Sequence, residues 1–199
     1  ISDEFSVAVE SCELDVGNET QVTEIFAKYS KIDYLINNAG FGDFGMFTET
    51  DWSNVLQMIN LNITTLTHFT KLYLQDMLKR RSGKIMNVAS TAAFQPGPTA
   101  AVYCATKAFV LSFSEAVSNE VSDKGITITS LCPGPTETGF QAAAAMDESN
   151  LFKGKKLPSA KVVAEYGYSS MIKGKTVAIH GIMNTIMSNS SRFAPRALV

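Results

Sequence analysis

The chain of 199 residues has a formal net charge of -2 and a pI near 5.7, so it carries no basic field to attract nucleic acid or an anionic membrane. An apolar content of 45% with 18% charged residues excludes a disordered chain and suits one domain with a substantial core. No run reaches the roughly 18 apolar residues that span a bilayer. The three cysteines have no metal-like or framework spacing and no signal peptide is visible, which favours a reducing cytoplasm and no metal site.

The first part of the chain alternates strand and helix patterns. Apolar residues alternate over 5–14 and predict a strand that ends at Asp15 and Val16. Asn18, with Gln21 three positions later, resembles a capping box and predicts a helix over 19–28. A second, buried strand follows over 34–36, and the turn Asn-Asn-Ala-Gly at 37–40 leaves its end.

The glycines Gly40, Gly42 and Gly45 match G-x-G-x-x-G after a strand, but we reject a dinucleotide fingerprint at this position. That fingerprint requires a helix that begins at the glycines, with an acidic residue about 20 positions further on at the end of the next strand. Here the next helix begins only near Asp51, and the positions about 20 further on lie inside it.

A long helical pattern covers residues 51–80 and presents one apolar stripe. Asn60 interrupts this stripe. Asparagine is mildly unfavourable inside a helix because its amide competes for backbone hydrogen bonds, so Asn60 is either a solvated polar residue or a functional one. The apolar run 84–90 then predicts a buried strand, and Ser90 stands at its end.

Tyr103 and Lys107 stand four positions apart at the start of the next helical pattern, 101–121. Residues four apart share one face of a helix, so the phenol and the ammonium are expected to point the same way. A nearby cation favours the phenolate and lowers the phenol pKa from about 10, which would let Tyr103 exchange protons near pH 7. A helix with one inward aromatic and one solvated lysine explains the same spacing.

The rest of the chain continues the alternation. Residues 126–132 predict a strand, and the turn Pro-Gly-Pro-Thr at 133–136 leaves its end. The irregular segment 137–157, which includes Phe140 and Met146, is either an apolar lid over a substrate or a surface segment. A helix over 159–173, a strand over 176–179 and a weakly helical tail after Gly181 follow.

Strands separated by helices at this spacing predict an α/β fold, a Rossmann-like doubly wound parallel sheet. The carboxyl ends of such strands meet at one edge, where ligands bind. Asp15, the 37–40 turn, Ser90 and the 133–136 turn are therefore expected to line one crevice, with Tyr103 and Lys107 above it.

Taken in order, the Asn-Asn-Ala-Gly turn, Ser90, the Tyr103-x-x-x-Lys107 pair and Pro133-Gly134 resemble the short-chain dehydrogenase/reductase family in its ordinary single-domain form. The resemblance covers nearly the whole chain. It implies a single NAD(P)-binding domain over 1–199 and an oxidoreductase that interconverts a carbonyl and an alcohol, with NADP favoured over NAD. Phe41, Phe44, Met46 and Phe47 suggest an apolar small-molecule substrate, although core packing explains these residues equally well. The helix stripes are either core or the interface of a homodimer or homotetramer.

The resemblance also implies a role for each matched residue. Tyr103 would be the general acid/base and also contact the cofactor, Lys107 would lower its pKa and hold the nicotinamide ribose, and Ser90 would bind the substrate oxygen. Asn60 would support a water-linked proton relay through a kinked helix. The remaining cofactor contacts would be Asp15 and Val16 at the adenine, Asn38, Ala39 and Gly40 at the adenosine ribose, and Pro133, Gly134 and Thr136 at the nicotinamide.

One departure from the family pattern concerns its first two strands and the Gly-rich phosphate loop, which this sequence lacks. They would amount to roughly 50–60 residues between the 5–14 strand and the 34–36 strand. The chain begins at Ile1, so we expect an N-terminal truncation that binds cofactor poorly and folds marginally. Two alternatives stay open, a non-catalytic NAD(P)-binding regulatory protein on the same fold and an inactive fragment.

Overall fold

A computed structural model describes residues 2–139, 157–191 and 193. The strands are β1 (Tyr34–Asn37), β2 (Gly83–Val88), β3 (Ile126–Cys132) and β4 (Val177–Ile179). The α-helices are α1 (Ser2–Phe5), α2 (Glu19–Lys28), α3 (Trp52–Ile59), α4 (Leu66–Arg80), α5 (Ala101–Glu120), α6 (Ala160–Ile172) and α7 (Ile182–Ser190). A π-helical segment, Asn60–Thr65, joins α3 to α4, and a 3-10 turn, Thr91–Phe94, follows β2.

The strands form one parallel sheet in the order β1-β2-β3-β4. Adjacent residues of β2 face opposite sides, and both sides are covered. Ile85 packs with Tyr73 and Met77 of α4 on one side, whereas Met86 packs with Met171 of α6 on the other. The predicted α/β, Rossmann-like doubly wound parallel sheet is confirmed.

The predicted strand over residues 5–14 is wrong. Phe5 ends the short helix α1, and the residues after it form no strand. Val7 and Val9 are 50% and 56% exposed. A strand is stable only when its backbone groups pair with a neighbour, and among the described residues this segment pairs with no strand. Although β1 is an edge strand that pairs only with β2, Cys12 and Leu14 line a cavity with it and do not extend the sheet.

The predicted helix over 51–80 is interrupted. Asp51 caps α3 by accepting a hydrogen bond from the Ser53 N–H at 2.7 Å, and the helix continues regularly to Ile59. Residues Asn60–Thr65 then form a π-helical turn before α4 begins. In such a turn each backbone hydrogen bond spans one residue more than in an α-helix. Such turns occur often at functional sites, and this one faces the carboxyl end of β1.

Parts of the C-terminal region lie outside the described residues. The suggested lid over 137–157 is described only at residues 137–139 and 157, so Phe140 and Met146 fall outside the description. The weakly helical tail contains α7. None of the described helices combines the length and the apolar character that a bilayer crossing requires.

Candidate active site

Ser90 and Tyr103 meet at the carboxyl end of β2. Ser90 follows the strand and begins the 3-10 turn, where its Oγ accepts a hydrogen bond from the Ala92 N–H at 3.1 Å. Its side chain also lies near enough to the Tyr103 hydroxyl to lower the pKa of the phenol. Two hydroxyl groups therefore lie close enough to contact one substrate oxygen.

Lys107 lies one helical turn after Tyr103, as the four-residue spacing predicts. Its side chain is only 6% exposed, and its Nζ donates a hydrogen bond to the Val88 carbonyl at 2.9 Å. The Nζ lies 5.9 Å from the centroid of the Tyr103 ring. The alternative of a solvated lysine is therefore wrong, because α5 carries this ammonium into the end of the sheet.

Burial changes the pKa of both groups. It lowers the pKa of Lys107 to about 8, because a charged ammonium loses its hydration there. It also raises the pKa of Tyr103 above its ordinary value, and this effect outweighs the lowering by the nearby Ser90 side chain. The predicted lowering of the Tyr103 pKa by Lys107 is thus wrong for this structure, since desolvation of the phenolate dominates. The phenol is protonated at neutral pH.

The depressed Lys107 pKa makes folding stability depend on pH. Below about pH 8 the lysine is protonated in both states, and between that value and its ordinary 10.5 only the unfolded chain keeps the proton. Stability therefore rises with pH in this window. We expect a gain of about 1 kcal/mol between about pH 7 and pH 9, measured by denaturant unfolding, that is absent in Lys107→Met.

Two buried thiols make the folding stability change with pH in the direction opposite to that of Lys107. Burial raises the pKa of Cys132 from 9.0 to about 11 and also raises that of Cys104, so both contributions fall as pH rises. The Lys107 charge also lowers the Cys132 pKa, but in the folded state of both proteins Cys132 stays protonated between pH 7 and pH 9, so the difference between them reports Lys107. If the free energy of unfolding rose equally steeply with pH in both proteins, the buried charge would not belong to Lys107.

Gly40 lies between Lys107 and a residue that the sequence did not single out, Asn62. A Cβ on Gly40 would come within 2.7 Å of the Asn62 Oδ1 and 3.5 Å of the Lys107 Nζ. The Asn62 side chain is 1% exposed, donates to the Phe41 carbonyl at 2.9 Å and to the Thr106 Oγ1 at 3.1 Å, and accepts from the Phe41 N–H at 3.2 Å. Asn62 therefore fixes the chain after β1 against α5.

Asn60 contacts a different part of the structure. Its Nδ2 donates to the Gly17 carbonyl at 2.7 Å. Asn60 and Asn62 are two positions apart in the π-helical turn that begins at Asn60. Each residue rotates a helix by about 100°, so the geometry of this turn decides which way each side chain points. The family resemblance implied a kink in this helix but not its exact geometry, so the sequence could not decide which asparagine faces Lys107.

Asp15 and Val16 reach the site although they end no strand. The Asp15 carboxylate accepts from the Gly17 N–H at 2.9 Å and is exposed. The Val16 carbonyl accepts from the Thr65 Oγ1 at 2.8 Å. These contacts attach residues 15–17 to the π-helical segment, beside the end of β1.

Asn38 and Ala39 share a cavity of about 270 Å³ with Val16, at the carboxyl end of β1. The preceding residue anchors the turn, because Asn37 Nδ2 donates to the Asn87 Oδ1 of β2 at 2.8 Å. The cavity is mostly apolar, and Leu35 and Leu61 are among its walls. Its position and lining suit a flat, weakly polar group such as a purine base.

The turn after β3 is joined to both neighbours. The Pro133 carbonyl accepts from the Thr91 N–H at 2.9 Å, and the Thr136 Oγ1 donates to the Gly134 carbonyl at 2.9 Å. A Cβ on Gly134 would lie 2.4 Å from the Asn184 Nδ2 of α7, so only glycine fits there without displacement. The predicted contacts Pro133, Gly134 and Thr136 thus lie next to the 3-10 turn that Ser90 opens.

The geometry fits one end of a dinucleotide. Val88 provides the one carbonyl that accepts from the Lys107 ammonium among the described residues, which leaves N–H groups for the hydroxyls of a ribose. Gly40 lets a backbone approach this ammonium closely. Residues 2–33, as described, contain no glycine-rich turn that would hold a pyrophosphate. Nor does the described part of the chain hold three or more His, Cys, Asp or Glu side chains placed for a metal.

Comparison with known proteins gives consistent matches. Nodulation protein G of Rhizobium meliloti is 29% identical over 168 residues, which are 78% of this chain and 67% of that protein. The 3-oxoacyl-[acyl-carrier-protein] reductase FabG of Haemophilus influenzae is 34% identical over 119 residues, 58% of this chain and 48% of the relative. This chain thus spans about half to two thirds of the length of these relatives.

A solved structure matches nearly all of the chain. The short-chain dehydrogenase from Sphingobium yanoikuyae in complex with NADPH superposes with a TM-score of 0.86 at 25% identity, covering 99% of this chain and 77% of that one. A family model described as short chain dehydrogenase matches residues 2–149. That match includes Ser90, Tyr103 and Lys107, so the chain belongs to the short-chain dehydrogenase family of oxidoreductases.

Proposed function

We propose that residues 1–199 belong to a single NAD(P)-binding domain of an enzyme that interconverts a carbonyl and an alcohol. The observation that supports this most is the proximity of the Ser90 and Tyr103 side chains, next to the buried Lys107 ammonium. A protonated phenol and a hydroxyl converge there on a position that one substrate oxygen would occupy.

In this proposal Tyr103 is the general acid that gives its proton to the carbonyl oxygen during reduction, and the base in the reverse direction. The elevated Tyr103 pKa keeps the phenol protonated at neutral pH, and the Lys107 charge would stabilise the phenolate that forms when the proton is given up. Ser90 donates a second hydrogen bond to the same oxygen and orients it. The substrate oxygen thus gains negative charge where two donors already point.

Lys107 supplies positive charge beside Tyr103, and its free N–H groups would hold the nicotinamide ribose. The cofactor supplies the hydride, and the protein orients it and manages the proton. Pro133, Gly134 and Thr136 would contact the nicotinamide end, Gly40, Ala39 and Asn38 the ribose next to the adenine, and Asp15 and Val16 the adenine. Asn60 stays a predicted relay residue, but its amide bonds to Gly17 and Asn62 is the amide beside Lys107, so the two asparagines are competing candidates for this role.

NADP is the cofactor that we favour, with NAD as the alternative. The Sphingobium yanoikuyae structure, 25% identical to this chain, is described as a complex with NADPH. The name of the Haemophilus influenzae relative describes a reductase of a 3-oxoacyl group, which is a ketone. The first observation supports NADP as the cofactor, and the second supports a carbonyl substrate for this chain.

The proposal also extends to self-association. Trp52 and Leu56, one helical turn apart on α3, are 67% and 53% exposed. Exposed apolar side chains at this spacing suit an interface between two copies, in a homodimer or homotetramer.

The proposed function is tested with the protein at its full natural length. NADPH oxidation is followed with a panel of aliphatic and aromatic ketones and aldehydes, while NADPH fluorescence reports cofactor binding. We expect turnover of at least part of the panel. Binding without turnover would favour the regulatory-protein alternative, and the absence of both would overturn the proposed function.

A further inference from the structure

The segment from Phe41 to Gly45, which joins β1 to the turn before α3, is fixed at both of its ends. Asn62 forms two hydrogen bonds with the Phe41 backbone, at 2.9 Å and 3.2 Å. At the other end the Gly45 N–H donates to the Thr99 carbonyl at 2.9 Å. Thr99 adopts a left-handed conformation with φ of 63°, which is uncommon for threonine and turns its chain toward this contact.

Phe44 lies between these two anchors and packs on the Tyr103 ring. The two ring centroids are 5.6 Å apart at an angle of 45°. Both side chains are half-buried, so part of the aromatic pair is accessible from solvent. Aromatic pairs at this separation stabilise each other beyond the area that they bury.

Lys107 and Phe44 therefore both lie next to the Tyr103 ring, and the two side chains differ in chemistry. The Lys107 ammonium, 5.9 Å from the ring centroid, belongs to the side of Gly40 and Val88, where the cofactor is proposed to bind. Phe44 offers only an apolar surface. A substrate whose oxygen reaches the Tyr103 hydroxyl can pack a carbon substituent against this ring pair.

We infer that Phe44 is a specificity-determining residue that forms an apolar wall beside Tyr103 and limits the size of the substituent on that side of the substrate carbonyl. This inference rests on the proposed function. It names the substrate class as ketones or aldehydes with one apolar substituent that packs on a phenyl ring. A charged substituent would have to lose its hydration against this wall and is disfavoured.

The experiment compares Phe44→Ala with the wild type on two ketones that differ only in one substituent, methyl in the first and phenyl in the second. Removal of the phenyl ring opens space beside Tyr103. We expect the ratio of kcat/KM for the phenyl ketone to that for the methyl ketone to rise about tenfold or more. Phe109→Ala is the matched control, because Phe109 forms a ring pair of similar separation, 5.8 Å, with Phe113 on α5. Its ratio should equal that of the wild type.

A second measurement does not depend on turnover. Phe44 contributes to the burial that raises the Tyr103 pKa, so Phe44→Ala should move that pKa toward its ordinary value of about 10. The Tyr103 titration is obtained from phenolate absorbance after subtraction of the same titration in a Tyr103→Phe background. Phe109→Ala should leave it unchanged.

The outcomes separate the two proposals. An active wild type whose substrate ratio is unchanged in Phe44→Ala overturns the wall, whereas the proposed function survives. A wild type that turns over no carbonyl compound defeats the proposed function, and the titration then decides whether Phe44 shields Tyr103. An unshifted titration overturns the inference in either case.

Discussion

Replacement of Tyr103 by phenylalanine is expected to lower kcat for carbonyl reduction by about 10²–10⁴-fold. The change removes one oxygen atom and keeps the ring that packs on Phe44. The lost hydroxyl is the proposed proton donor, which acts as the oxygen gains charge, so kcat and kcat/KM should fall together while KM changes little. Steady-state kinetics with NADPH as the varied and then the saturating substrate measure both quantities.

Two controls show whether the effect belongs to the chemistry. Tyr168→Phe makes the same change on α6, where the ring is 51% exposed, and should retain wild-type kcat. NADPH fluorescence should show that Tyr103→Phe still binds the cofactor, because Lys107 and Gly40 remain. Undiminished turnover in Tyr103→Phe would remove Tyr103 from the mechanism.

The sequence predicted the part of the fold that local patterns determine. Strands β2 and β3 are apolar runs with helical patterns on either side, and a parallel sheet follows from that alternation. Residues 5–14 carry an equally clear alternating pattern and form no strand. A pattern records which side chains would face a core, but pairing with a neighbouring strand decides whether the sheet forms.

The sequence also placed Ser90, Tyr103 and Lys107 together, because strand ends and i, i+4 spacing are geometric rules. It could not predict the direction of the Tyr103 pKa shift. That direction depends on how much water reaches the phenol, and the neighbours that exclude water are distant in the chain, as Phe44 is. A nearby cation alone was therefore an incomplete argument.

The choice between Asn60 and Asn62 was likewise beyond the sequence, and a pair of alanine variants resolves it. In Asn62→Ala the partly buried Phe41 N–H and C=O lose their partners, each at a cost of about 1–2 kcal/mol. We expect a loss of about 2–4 kcal/mol in the free energy of unfolding, measured by urea denaturation. The backbone of Gly40 and Phe41 would also be freed beside Lys107, so kcat should fall by at least about tenfold at a temperature where the variant is folded.

Asn60→Ala is the matched variant, since it removes the same amide two positions away. Its single hydrogen bond ends on the Gly17 carbonyl, at the turn that holds Asp15. We therefore expect a smaller loss of stability, about 1 kcal/mol, and a higher KM for the cofactor with little change in kcat. If kcat instead falls more in Asn60→Ala than in Asn62→Ala, the relay runs through Asn60, and the contacts around Gly40 are structural only. The comparison of the two variants thus shows which asparagine supports the cofactor side of the site and which supports its catalytic side.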